Sequence, residues 1–118
     1  MWTIELYKTS AGKEIVAEFL DSLPKKIKAK AFWEIELLSI HGTVLREPYV
    51  KHIDGGLWEL RIKFASDIAR VFYFYPLASK IVLLHGFIKK TDKTPKREIE
   101  TAAKRMADYR ERSGKNEL

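Results

Sequence analysis

The chain has 118 residues, of which 46% are hydrophobic and 32% are charged, a balance typical of one folded domain and far from that of a disordered chain. Twenty-two Lys and Arg residues against sixteen Asp and Glu give a formal net charge of +6, which favours polyanionic partners such as nucleic acids. Cysteine is absent, which excludes disulfides and thiolate chemistry and suits a reducing cytoplasm.

The first third of the chain predicts a strand followed by a helical hairpin. Residues 2–7 alternate between apolar and polar side chains, as in a half-buried strand. Between residues 12 and 23 the apolar positions recur three and four apart, which places them on one helical face. Pro24 suits the first turn of a second helix and Gly42 suits its C-terminal cap. A second apolar stripe runs between these two residues.

The middle of the chain predicts a loop and then three strands. Residues 43–56 have no period and are rich in Pro and Gly, so we expect a loop with one extended piece at residues 49–53. Residues 57–64, 68–75 and 80–88 are dense in β-branched and aromatic side chains. The joints between these runs are short, which indicates an antiparallel meander.

The last part of the chain predicts a third helix. Thr94 and Pro95 suit the N-cap and the first turn, an apolar stripe runs on to Tyr109, and residues 111–118 are expected to fray. The order β-α-α-β-β-β-α predicts one α+β domain over residues 1–118, with the helices packed on one face of the sheet.

Basic residues on two neighbouring strands predict an anion-binding patch. Arg61 and Lys63 share one face of their strand, because successive side chains alternate. If Arg70 comes close to Arg61 across the short joint, two like charges meet, which costs stability unless an anion bridges them. Lys89 and Lys90 follow the last strand and would add charge at the edge of this patch.

A simpler interpretation also fits Arg61. It would pair with Glu59 or Asp67 on a solvated sheet face and have no function beyond solubility.

The sequence carries neither a membrane signal nor a metal motif. No window approaches the ~18 apolar residues that a membrane span requires, and the N-terminus lacks the pattern of a secretion signal. Three histidines without cysteines offer no familiar metal-ligand spacing. We therefore expect a cytoplasmic protein with no membrane partner and no metal.

Four segments, taken in order, carry a resemblance that spans nearly the whole chain. They are EFLDSLP at residues 18–24, LWELRI at 57–62, ARVFYFY at 69–75 and LLHGFIKKTDKTP at 83–95. The chain resembles the RelE/HigB toxins of bacterial toxin–antitoxin pairs, and within them the phage-derived Gp49-like branch. The resemblance implies a RelE-like microbial ribonuclease fold and ribosome-dependent cleavage of mRNA that blocks translation. It also implies that no metal or other cofactor is used and that a cognate antitoxin, containing a helix-turn-helix, inhibits the protein.

The resemblance also implies a set of catalytic residues. Arg70 and Arg61 match the basic strand residues of the family, and either Lys89 or Lys90 matches the basic residue after the last strand. His52 or His85 would take the part that histidines play in HigB.

Further residues are expected to bind RNA around this site. Lys51, Lys63 and Lys93 would contact phosphates, and Tyr49 and Phe87 would stack on splayed bases.

Metal-free RNA cleavage needs a group that activates the ribose 2′-hydroxyl, and cations that stabilise the charged phosphorane. Arginine suits the second task, because its planar guanidinium holds two phosphate oxygens at once. His52, His85 or a lysine whose pKa is lowered by neighbouring cations would serve as the base.

Two alternatives belong to other functional classes. A non-catalytic toxin resembling ParE would act on DNA gyrase and rely more on the helical hairpin, and a basic RNA-binding module would bind without chemistry.

Overall fold

The computed structural model describes residues 1–90 and 93–114. Its helices and strands are β1 (Thr3–Leu6), α1 (Ile15–Ser22), α2 (Lys25–His41), β2 (Val50–Asp54), β3 (Leu57–Phe64), β4 (Asp67–Phe74), β5 (Lys80–Ile88) and α3 (Lys96–Gly114). The α+β class is confirmed, and the predicted element order holds except that four strands, not three, lie between α2 and α3. The extended piece expected within the loop is the short strand β2.

The strands form one five-stranded mixed sheet in the order β1-β5-β4-β3-β2. Strands β2 to β5 are an antiparallel meander, as predicted, and β1 adds to it in parallel with β5. The β3–β4 joint is a two-residue turn between Phe64 and Asp67, in which Ala65 has a left-handed φ of 55°. This tight turn fixes the register of the two strands that carry the predicted arginines.

The ends of α2 follow the predicted residues. The Pro24 carbonyl accepts the N–H of Lys28, and the Gly42 N–H donates to the Leu38 carbonyl. A Cβ on Gly42 would overlap the indole of Trp2, so this position needs glycine for the close approach as well as for its φ of +50°.

The helices lie on both faces of the sheet. Phe19 of α1 packs against Gly86 of β5, whereas Glu98 of α3 binds the neighbouring His85. Because adjacent residues of a strand point to opposite faces, α1 and α3 lie on opposite sides of β5. The expectation that all helices share one face is therefore wrong for α3.

This two-sided cover explains why the sheet is richer in apolar residues than a one-sided sheet requires. All six residues at positions 69–74 of β4 are buried, including Phe72, Tyr73 and Phe74. A central strand covered on both faces reads as a continuous apolar run, in which the buried Arg70 is the exception.

The third helix differs from its prediction at both ends. It begins after Pro95, whose carbonyl accepts the N–H groups of Glu98 and Ile99, and the Thr94 hydroxyl donates to Glu59 instead. At the other end α3 continues as helix to Gly114, into the segment that was expected to fray, and residues 115–118 lie outside the described part of the chain.

Within the described residues, no helix is both long enough and apolar enough to cross a membrane. The same ranges contain no group of three or more His, Cys, Asp or Glu side chains placed to hold a metal ion.

Candidate functional site

Two arginines face each other across neighbouring strands. Arg61 of β3 and Arg70 of β4 are direct register partners, so both side chains lie on the same face of the sheet. Between them lies Glu59, whose side chain is only 1% exposed. Its Oε1 atom is 3.5 Å from Arg61 Nε and 3.6 Å from Arg70 Nε. Neither contact is a hydrogen bond, so one buried carboxylate is shared loosely by two guanidinium groups.

Glu59 is held in place from the segment before α3. The Thr94 hydroxyl donates a hydrogen bond of 2.8 Å to Glu59 Oε2. Glu59 is thus anchored from this segment while it faces both arginines. Because it is buried, it is not a solvated surface partner of Arg61.

Lys89 belongs to the same cluster. Its backbone N–H donates to the Ile68 carbonyl, which extends the β4–β5 pairing one residue beyond β5. Burial lowers the pKa of the Lys89 ammonium, and the positive charges of Arg70, Arg61 and Lys51 lower it further, while Glu59 opposes them. Lys90 is exposed. The structure thus brings Lys89, and not Lys90, to the two arginines.

Lys51 completes what we call the basic cluster: Lys51, Arg61, Arg70 and Lys89. It is the register partner of Glu59 and so points to the same face. Among the described residues, the carboxylates that form ion pairs with the cluster are Glu59 and the exposed Glu47, which is 3.3 Å from Arg61.

Among the described residues, four cations face the two ion-paired carboxylates Glu47 and Glu59, and Glu34 acts on Arg70 electrostatically. Positive charge is therefore in excess at the basic cluster. The pKa of Arg70 is lowered, chiefly by burial and then by Arg61. The cluster therefore has the electrostatics of an anion site.

A groove of about 490 Å³ opens beside the cluster. The polar and aromatic residues that line it are Lys30 and Glu34 of α2, Tyr49, Arg61, Lys63 and Arg70. Tyr49 is half-buried and packs edge-on against Trp33, and its carbonyl accepts the Arg61 N–H. Two predicted RNA contacts, Tyr49 and Lys63, thus share this groove with both arginines.

His52 lies away from the basic cluster. It pairs in register with Trp58 and contacts that ring edge-on at 4.8 Å, whereas Lys51 pairs with Glu59. Since His52 and Lys51 are adjacent in β2, their side chains point to opposite faces. The structure does not bring His52 to the arginines.

His85 shares the face of the cluster, but its ring is occupied. Arg105 donates to Nδ1 at 3.1 Å, so Nε2 carries the proton and donates to Glu98 at 3.0 Å. Burial lowers the pKa of this imidazole. Phe72 of β4 is the register partner of both Glu59 on β3 and His85 on β5. The phenylalanine therefore separates the histidine from the buried carboxylate. Both ring nitrogens of His85 are therefore already engaged by Arg105 and Glu98.

The last two predicted RNA contacts, Phe87 and Lys93, differ in their exposure. Phe87 is the register partner of Arg70, but it is buried and stacks on Phe72 with ring centroids 5.5 Å apart, so its ring is part of the core and not a platform for bases. Lys93 is exposed in the segment before α3.

Two acidic residues were missed by sequence reasoning as parts of the site. Glu59 was named only as a candidate ion-pair partner of Arg61, and the sequence did not show that it is buried or shared with Arg70. Glu34 did carry a signal, because it falls at helical spacing among the buried residues Ile27, Ala31 and Leu38 of α2. A charged residue inside an apolar stripe is rarely buried without a reason.

The comparisons with known proteins identify the family of the chain. The family model described as phage-derived protein Gp49-like matches residues 18–107, and this range contains the basic cluster and every residue named in the groove. No curated protein matches the chain. The α+β fold with three helices and a five-stranded mixed sheet is consistent with the RelE-like fold. The chain belongs to the Gp49-like family, whose members are toxins of toxin–antitoxin systems.

Proposed function

We propose that the chain is a ribosome-dependent endoribonuclease that acts in the cytoplasm as the toxin of a toxin–antitoxin pair and blocks translation by cutting mRNA. The observation that supports this proposal is the basic cluster, in which two facing arginines share one buried carboxylate and positive charge is in excess among the described residues. A phosphodiester is the anion that such a cluster would accept.

Arg61 and Arg70 would bind the scissile phosphate and stabilise the charge of the phosphorane. Both guanidinium groups are partly withdrawn from water, where an electrostatic contact is stronger than at a free surface. Glu59 would position them, because it lies beneath both and is itself fixed by Thr94.

Lys89 is the proposed proton-transfer residue. Its lowered pKa makes the neutral amine more accessible than in an isolated lysine. The amine takes the proton of the 2′-hydroxyl as its oxygen attacks phosphorus, and the resulting ammonium protonates the departing 5′-oxygen. The products are a 2′,3′-cyclic phosphate and a free 5′-hydroxyl. The sequence offered His52, His85 or a lysine as the base, and of these Lys89 lies beside the arginines.

The test is to map new 5′ ends of mRNA on translating ribosomes with the wild type, Arg70→Ala and Lys89→Ala. Loss of one preorganised donor typically costs about 10²–10³ in rate, so Arg70→Ala should lower cleavage by that factor with little loss of ribosome binding. Lys104→Ala removes an exposed cation of α3, outside the cluster, and serves as the control.

Each alternative predicts its own result in this assay. Intact mRNA beside arrested growth would favour a gyrase inhibitor, and ribosome binding without cleavage would favour a binding module. A cleavage rate of Arg70→Ala equal to that of Lys104→Ala would reject the assignment of the site.

A further inference from the structure

Glu34 is a buried carboxylate that the proposed chemistry does not use. Its side chain is 2% exposed, and its Oε1 atom has no hydrogen-bond partner among the described residues. The other oxygen is 4.0 Å from Lys30 Nζ, which is too far for a hydrogen bond. Burying a carboxylate without hydrogen bonds is costly, so such a group calls for an explanation.

The position of Glu34 suggests that explanation. It lines the same groove as Arg61 and Arg70, and Tyr49 lines that groove as well. The volume of about 490 Å³ lies within the range of small-molecule pockets, about 300–1,000 Å³. One nucleotide with its phosphate at the arginines would therefore bring its base toward α2.

The two oxygens of a carboxylate distinguish among the four RNA bases. Guanine presents two adjacent donors, N1–H and N2–H, on its Watson–Crick edge. Adenine and cytosine present one donor beside an acceptor, and uracil presents one donor between two acceptors. Only guanine satisfies both oxygens at once, and an aromatic ring such as that of Tyr49 can stack on any base.

We propose that this groove is a guanine subsite, in which Glu34 accepts hydrogen bonds from N1–H and N2–H while Arg61 and Arg70 hold the attached phosphate. The proposal deepens the nuclease function, on which it rests for the identity of the polymer. Binding of a single nucleotide, however, requires no cleavage and no ribosome.

The charged groups around Glu34 determine how the binding of guanine to its carboxylate depends on pH. Among the described residues, Lys30 of its own helix and Arg70 of β4 act on Glu34 electrostatically, and Arg61 and Lys63 of β3 line the same groove. Burial raises the pKa of Glu34 to about 7, against the opposing effect of Lys30 and Arg70. Guanine needs the ionised carboxylate, so binding should release a proton and tighten between pH 6 and pH 8.

The experiment is calorimetric titration of the full chain with guanosine 3′-monophosphate and adenosine 3′-monophosphate. Both ligands carry the same titrating phosphate, so the ratio of their affinities isolates the base. At pH 8 we expect a preference of about tenfold for guanine, the scale of one bidentate base contact. At pH 6, about one unit below the pKa, most of this preference should be lost.

Two variants separate the parts of the subsite. Glu34→Gln places an amide donor against the donors of guanine, and its acceptor and donor match the edge of adenine, so it should abolish or reverse the preference for guanine. Arg70→Ala should lower the affinity for both nucleotides by the same factor. Circular dichroism of each variant checks that the fold is kept, and Glu36→Gln on the exposed face of α2 is the matched control.

Three results would overturn the subsite: equal affinity for the two nucleotides, an unchanged preference in Glu34→Gln, or no binding of either nucleotide. The nuclease function fails separately. Selective binding of the guanine nucleotide with intact mRNA on ribosomes would reject cleavage and keep the subsite, and cleavage without selective binding would do the reverse.

Discussion

Replacing Glu34 by glutamine should stabilise the protein, and the gain should grow with pH. Burial raises the pKa of this carboxyl from 4.5 to about 7 in the folded chain. Below pH 4.5 the group is protonated in both the folded and the unfolded state, so its ionisation does not lower the free energy of unfolding. As the pH rises from 4.5 to 7, the unfolded state loses the proton first, so the free energy of unfolding falls.

The size of the effect follows from the shift. At about 1.4 kcal/mol per pH unit, the rise to about 7 corresponds to a cost of about 3 kcal/mol at pH 8. Glutamine carries no charge at any pH and has a similar shape. The difference in unfolding free energy between Glu34→Gln and the wild type should therefore increase by about 3 kcal/mol from pH 4.5 to pH 8.

Urea denaturation of both proteins at pH 5, 6, 7 and 8 measures this difference. With a slope of about 2 kcal/mol per molar urea, the two midpoints should separate by about 1.5 M more at pH 8 than in the acid limit. Glu36→Gln, on the exposed face of the same helix, should show no such trend. A midpoint difference that stays constant with pH, or a wild type that is the more stable protein at pH 8, would refute the reasoning.

Three further predictions concern Glu59, Gly86 and His85. Glu59→Gln leaves two guanidinium groups over an uncharged amide, so it should lower the free energy of unfolding by about 3 kcal/mol. An unchanged urea midpoint would contradict the conclusion that Glu59 stabilises both arginines. Gly86→Ala forces a methyl group into the ring of Phe19 and should cost about 1–3 kcal/mol in thermal unfolding. Gly114→Ala, where a Cβ meets nothing within 4 Å, should be close to neutral, and equal effects of the two changes would speak against the close packing of α1. Burial and Arg105 lower the pKa of His85, so its NMR titration in the folded protein should have a midpoint below 6.5, and a midpoint above that value would show a solvated ring.

Much of the fold is readable from local patterns. Helical and strand periods, with Pro24 and Gly42, located the elements to within a few residues, apart from the last turn of α3, because these signals depend on near neighbours. The face of α3 was not readable in the same way. Its apolar stripe shows that it packs against something, but the choice between the two faces of the sheet depends on contacts across the whole domain.

The candidate site shows the same division. The meeting of Arg61 and Arg70 could be predicted, since a two-residue turn fixes the register of the strands on either side. The face of His52 depends on the register of the irregular strand β2, for which the loop composition gave no signal. Phe87 appeared available for stacking only because a second covered face of the sheet was not expected.

The pairing of β1 with β5 has a consequence for how the chain folds. Thr3 lies beside Lys80, so the N-terminal strand has no hydrogen-bonded partner in the sheet until most of the sequence has been synthesised. Closing so long a loop is slow compared with forming the helical hairpin or the β3–β4 turn. The hairpins are therefore expected to form early, and strand β1 should be among the last elements to reach its native place.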